Sequence, residues 1–173
     1  MKKLKLVLLG SSEVGKTAII EQFTQKNFQD IYYQTMSVDK CIKEITLING
    51  KKLQLEIWDT AGGECYKAVN KIFVKNAKIV LLIYDITDKR TFDELNDYYN
   101  IACAKNKKEN IFFGVVGNKN DLYEDRIISF EDGEEYANKI NALFFETSAI
   151  DYDNIEKVFR TILNEYFNVN NKI

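Results

Sequence analysis

Eight residues near the start of the chain, Gly10-Ser11-Ser12-Glu13-Val14-Gly15-Lys16-Thr17, carry the spacing G-x-x-x-x-G-K-[ST] and stand directly after an apolar run, Leu4 to Leu9. This order of residue types suits the holding of phosphate. Glycines let the backbone curl so that successive N–H groups point at one anion, and a helix opening at the loop adds the positive end of its dipole. Lys16 then reaches the terminal phosphates, and the Thr17 hydroxyl is a ligand for Mg2+. A second group, Asn118-Lys119-Asn120-Asp121, follows another apolar run. A carboxylate at Asp121 can accept from both N1–H and the 2-amino group of guanine; adenine offers no such donor pair and would leave a buried Asp unpaired. The chain has no His. Any hydrolysis must therefore work by positioning and electrostatics or through another side chain.

These groups need a scaffold, and 173 residues suffice for a single domain, 1–173, with a substantial core. Lys and Arg number 24 against 26 Asp and Glu, a net charge of -2. That balance, with no basic stripe, argues against nucleic acid as a partner. Cys41, Cys65 and Cys103 are widely spaced, which suits a reducing compartment and neither a disulfide framework nor a metal cluster. The apolar start is too short for a signal-peptide core, and no segment approaches the roughly 20 apolar residues of a membrane span. A soluble, cytoplasmic chain is expected.

Along the chain, Lys16 to Gln25 reads as a helix with Ala18, Ile19, Ile20 and Phe23 on one face. Phe28 to Met36 reads as a loop. Ser37 to Ile48 and Lys52 to Trp58 read as a hairpin around Asn49-Gly50. Asp59-Thr60-Ala61-Gly62-Gly63-Glu64 opens a second loop, followed by a weak helical pattern to Val74. Ile79 to Tyr84 and Ile111 to Val116 are continuous apolar runs of strands covered on both faces. Thr91 with Glu94, Ser129 with Asp132, and Asp153 with Glu156 read as caps of helices running to about Lys107, to about Ile140, and through Tyr166, with Gly133 unfavourable inside the second. Leu143 to Glu146 is a short strand. The alternation predicts an α/β fold: a doubly wound, six-stranded, mostly parallel sheet with one antiparallel edge strand and helices on both faces. Ligands bind such sheets at the carboxyl ends of the strands, here Gly10, Asp59, Asp85, Asn118 and Thr147.

GSSEVGKT, Thr35, WDTAG, NKND and ETSA, in this order and spacing, resemble the Ras-like small GTPases over essentially the whole chain. LQLEIWDTAG and YDITD are most similar to the Rab branch, from which MSVDKCI and the segment after Glu64 depart. The resemblance implies a P-loop G domain binding GTP or GDP with Mg2+. The phosphates would be held by Ser12, Glu13, Val14, Gly15, Lys16, Thr17 and Ala18. Phe28 would stack on guanine, with Asn118, Lys119, Asp121, Leu122, Ser148, Ala149 and Ile150 around it and the Ala149 N–H at O6. Thr17, Thr35 and Asp59 would serve the metal, Asp59 through water. Lys16, Thr35, Gly62 and Gly63 would surround the reacting phosphate, with the Gly62 N–H on its oxygen.

Three positions depart from that pattern. Gly63 stands where a water-positioning Gln is usual, Ile150 replaces a Lys, and Glu13 puts a charge in the P-loop, either near the phosphates or toward solvent. The implied role is a switch with slow hydrolysis in vesicle trafficking. Effectors, exchange factors and GTPase-activating proteins would engage the Thr35 and Gly62 loops. A GTP-locked scaffold and a P-loop phosphotransferase with a small acceptor are the alternatives. No cysteine stands near Asn171-Lys172-Ile173, so a peripheral membrane location is expected only through a lipidated tail beyond these residues.

Overall fold

The computed structural model describes residues 2–25, 39–48, 50–60, 62, 67–106 and 110–170. Among them, six strands form one sheet: β1 (Lys2–Leu9), β2 (Asp39–Thr46), β3 (Lys52–Asp59), β4 (Ile79–Asp85), β5 (Phe112–Asn118) and β6 (Leu143–Glu146), in the spatial order β2-β3-β1-β4-β5-β6. Only the β2–β3 pair is antiparallel. The helices are α1 (Lys16–Gln25), α2 (Lys67–Phe73), α3 (Lys89–Asp93), α4 (Leu95–Lys105), α5 (Phe130–Ile140) and α6 (Tyr152–Asn170). The expected doubly wound architecture is present. The expected loop Phe28 to Met36 lies outside the described residues.

Strand alternation divides the core in two. On β1, Leu4, Leu6 and Leu8 face α1 and α6, while Val7 and Leu9 face the opposite layer of α4 and α5. The same division runs through β4, with Ile79, Leu81 and Ile83 on one side and Val80, Leu82 and Tyr84 on the other. Helices on both faces thus explain why IVLLIY is apolar without a break. In the first layer the rings of Phe23 and Phe159 stack at 3.9 Å. Both are buried, each such burial stabilising by roughly 1.5–3 kcal/mol, and Phe159→Ala costs roughly 3–5 kcal/mol. That stack fixes α1, and so the loop before it, against the sheet. No described helix is long and apolar enough to cross a membrane.

The boundaries correct the sequence reading in several places. β1 begins earlier, at Lys2, and the hairpin arm expected over Ser37 to Ile48 is strand over Asp39–Thr46 and ends before Leu47, its first two residues lying outside the described ones. The helix expected to open at Thr91 opens at Lys89, because Asp88 caps it by accepting the Arg90 N–H at 2.9 Å. Thr91 is not free to cap: its hydroxyl oxygen accepts the Asp85 N–H and donates to the Asp88 carbonyl. Glu94 makes no side-chain cap bond and stands at a break between α3 and α4. α6 is led by Asp151, whose carboxylate accepts the Asn154 N–H at 3.1 Å, and not by Asp153. The Ser129–Asp132 capping box is present as expected. Gly133 belongs in that helix for packing, since a Cβ there would lie 2.4 Å from the Tyr84 hydroxyl.

Candidate functional site

The site lies where the parallel strands end. β1 delivers the chain to the loop 10–15, which α1 closes. Val14 is buried and Ser12 and Ala18 partly so, whereas Glu13 is exposed, with a left-handed φ of 67°. Of the two readings of Glu13, the structure favours solvent. Gly15 also has positive φ, 94°, and a Cβ on it would lie 2.3 Å from Asn118 Nδ2.

Lys16 is 6% exposed. Its Nζ donates to the carbonyls of Gly10 at 2.8 Å and Ser11 at 2.6 Å. Burial pulls its pKa down to about 8, opposed by the charge of Asp59. Asp59, at the end of β3, is buried, and that burial pushes its carboxyl up; a hydrogen bond from Thr17 and the Lys16 charge act the other way. The Thr17 hydroxyl donates to Asp59 Oδ2 at 2.6 Å. Asp59 Oδ1 is buried and has no hydrogen-bond partner among the described residues. An orphaned carboxylate oxygen beside a hydroxyl is the oxygen chemistry that suits Mg2+, which needs few protein ligands when phosphate and water fill the rest. The residues fit the ion.

The second half of the site is built by the ends of β5 and β6. Asn118 is buried and donates from Nδ2 to the Val14 carbonyl at 2.8 Å, while its Oδ1 has no partner among the described residues. Lys119 has a φ of 66° and reaches back to Asp85 Oδ2 at 2.6 Å. The Asn120 N–H donates to the Thr147 carbonyl and the Leu122 N–H to the Lys119 carbonyl, which folds this stretch onto the loop after β6. Asp121 and Leu122 are exposed on the turn so formed. Ser148 and Ala149 are buried, and Ser148 Oγ accepts the Ile150 N–H at 3.2 Å. Ile150, exposed, receives Gln22 of α1 on its carbonyl at 3.0 Å. Its side chain adds nothing to these bonds.

The structure therefore brings the residues of loop 10–18, Asp59, Gly62, the Asn118–Leu122 turn and the Ser148–Ile150 loop to one end of the sheet. Phe28, Thr35 and Gly63 lie outside the described residues. Sequence reasoning gave no site role to Gln22, Ser11 or Glu94, and named Asp85 only as one of the strand ends where a ligand would bind. Ser11 Oγ donates to Glu94 Oε2 at 2.5 Å, a contact across 83 residues that no local spacing announces. Arg126 grips Glu146 through two bonds, 2.6 and 2.8 Å, and so anchors the strand that leads into Thr147.

Such an arrangement can take a chain of phosphates ending at Lys16, a divalent cation between Thr17 and Asp59, and a planar base between the loops after β5 and β6. A family model described as Ras family matches residues 5–168. The chain is 36% identical over 164 residues to the "Ras-related protein RIC1" of Oryza sativa subsp. japonica, covering 95% of this chain and 80% of that protein. It is 38% identical over 164 residues to the "Ras-related protein Rab-12" of Mus musculus, covering 94% and 67%. Over 162 residues it is 34% identical to the "GTP-binding protein ypt2" of Schizosaccharomyces pombe, covering 94% and 80%.

Proposed function

This chain belongs to the Ras family, and on that premise we propose that it is a Rab-like, guanine-nucleotide-dependent switch: one G domain over 1–173 that binds GTP and GDP with Mg2+ and hydrolyses GTP slowly. One bond carries the reading. The Asn118 amide donates to the Val14 carbonyl, so the loop shaped for phosphates and the loop shaped for a base are held as one nucleotide-sized site.

In this reading the N–H groups of Glu13, Val14, Gly15, Lys16, Thr17 and Ala18 wrap the phosphates, with Ser12 at their edge. The Lys16 ammonium bridges the terminal pair. Asp121 accepts from the guanine N1–H and 2-amino groups, the Ala149 N–H meets O6, and Phe28 stacks on the ring. Lys119, held by Asp85, Leu122 and the Ser148–Ile150 backbone brace the base. Thr17, Thr35 and Asp59 would hold Mg2+, which when bound neutralises charge on the phosphate oxygens. The Gly62 N–H reaches the γ-phosphate, so the loops bearing Thr35 and Gly62 order around GTP and relax around GDP. Effectors, exchange factors and GTPase-activating proteins read or alter that order, in vesicle trafficking, with the protein cytoplasmic and peripheral on a membrane when a lipidated tail is present.

Hydrolysis is slow because Gly63 has no side chain to orient water, while the loop backbone and Lys16 keep their electrostatic part. Loading purified protein with GTP and following bound nucleotide and released phosphate with time tests the whole reading. Tight binding with slow phosphate release is expected. Failure to retain guanine nucleotide in the presence of Mg2+ would overturn it.

A further inference from the structure

Three groups converge on Ser11 and the peptide that joins it to Ser12, the third through the Ser11 side chain. From one side the Lys16 ammonium rests on the Ser11 carbonyl at 2.6 Å. Gly62 approaches the same peptide so closely that a Cβ on it would lie 2.3 Å from Ser12 N and 2.5 Å from the Ser11 carbonyl atoms. The third is Glu94, whose Oε2 accepts from Ser11 Oγ at 2.5 Å. Ser11 is 1% exposed and the Glu94 side chain 20%, so the bond is part-buried, its donor withdrawn from water.

The Glu94 side chain caps no helix. The residue closes α3 through its backbone N–H, which donates to Arg90 and Phe92 carbonyls, and makes no cap bond to α4. A carboxylate beside a site built for anions carries a cost through like-charge repulsion. Two contacts offset it here: the Ser11 hydroxyl on Oε2 and the Arg90 guanidinium 3.8 Å from Oε1.

We propose that Glu94 is a positioning residue for the phosphate site, acting through Ser11 to fix the peptide on which Lys16 and Gly62 both bear, so that the α3–α4 break sets how firmly the loop holds phosphate. This rests on the nucleotide-switch reading above. Losing the Glu94 carboxylate frees the Ser11 peptide to turn, and the Lys16 amine then loses one of its two carbonyl rests. Gln at 94 keeps an acceptor oxygen in reach and preserves the brace.

Two measurements on the full chain decide it, each on wild type, Ser11→Ala, Glu94→Ala, the double variant and Glu94→Gln. Amide hydrogen exchange without added nucleotide reads the loop itself. In both single alanine variants, exchange over residues 10–16 should rise by about tenfold or more while residues 130–140 stay unchanged. Release of a fluorescent GDP analogue reads the consequence. Each single alanine variant should release it about tenfold faster, the double variant no faster than either within about twofold, and Glu94→Gln within about threefold of wild type.

Unchanged loop exchange in Glu94→Ala would overturn the proposal whether or not nucleotide binds. Faster exchange with unchanged GDP release would make the contact a brace without functional reach, and multiplying effects in the double variant would show that the two residues do not act together. Either outcome overturns it. A wild type that holds no GDP would overturn the switch reading instead, leaving the exchange measurement to decide the brace.

Discussion

Gly15 and Asn118 meet at the junction of the two halves of the site, and their coupling can be measured. A Cβ added to Gly15 would lie 2.3 Å from Asn118 Nδ2, well inside contact distance. Nδ2 cannot simply move aside, because it donates to the Val14 carbonyl at 2.8 Å. Gly15→Ala therefore combines two costs: roughly 1–2 kcal/mol for an alanine held at φ 94°, and about 1–3 kcal/mol for breaking a buried bond and orphaning its acceptor. Asn118→Ala incurs only the second. In the double variant the clash is gone and the bond already lost, so its destabilisation should match Gly15→Ala alone within about 0.5 kcal/mol. Urea unfolding of the nucleotide-free proteins measures this, and melting temperatures should follow at roughly 2–4 °C per kcal/mol. GDP affinity should fall in all three, since the junction holds phosphate and base loops in register. If the two single costs simply add in the double variant, Gly15 and Asn118 do not meet as described, and the junction argument fails.

Gly63→Gln should hydrolyse GTP about tenfold faster or more in single turnover, equivalent to roughly 1.4 kcal/mol of barrier; equal rates would mean that water is positioned by another route. Asp121→Asn should weaken guanine and favour xanthine nucleotides, because an amide pairs with the 2-oxo group; an unchanged ranking in competition binding would refute the base assignment. Lys16 has its pKa lowered to about 8 by burial, so in the free protein it is charged below that pH and neutral above it. Phosphate binding needs the charged form, so GTP affinity should be flat below about pH 8 and fall by up to about tenfold per unit above it. Titration calorimetry between about pH 7.5 and 9 would expose a flat profile, which would contradict the assigned contact. Thr17→Asn should leave the circular dichroism spectrum unchanged and abolish the dependence of GTP affinity on Mg2+; normal dependence would remove Thr17 from the metal site.

What was legible in the sequence was what short-range chemistry determines. α1 runs from Lys16 to Gln25 as expected, because its apolar stripe and the loop before it are both local features. β4 was visible because burial on both faces leaves its run from Ile79 to Tyr84 apolar up to the Asp85 that ends it. The Ser129–Asp132 box was legible because nothing else competes for its atoms. The same rule failed at Thr91 and Glu94, which have equivalent spacing, because each side chain is claimed elsewhere: Thr91 by the end of β4, Glu94 by the phosphate loop. Spacing rules see an acid three residues after a hydroxyl and have no means of weighing a partner 83 residues away.

The failures are informative for that reason. A side chain that forgoes an available local cap worth roughly 0.5–2 kcal/mol must find at least comparable stabilisation in its tertiary contact, and such exchanges concentrate where a fold is shaped by its site. Asp151, which caps α6 in place of Asp153, is a shift of two residues beside the loop of Ser148–Ile150. Glu94 gives up its cap for the phosphate loop, and Gly133 gives up helix propensity to admit the Tyr84 hydroxyl. The first two exceptions to local rules lie against the two loops that would hold the nucleotide, which is where a chain selected for a bound ligand, and not for helix ends alone, should place them.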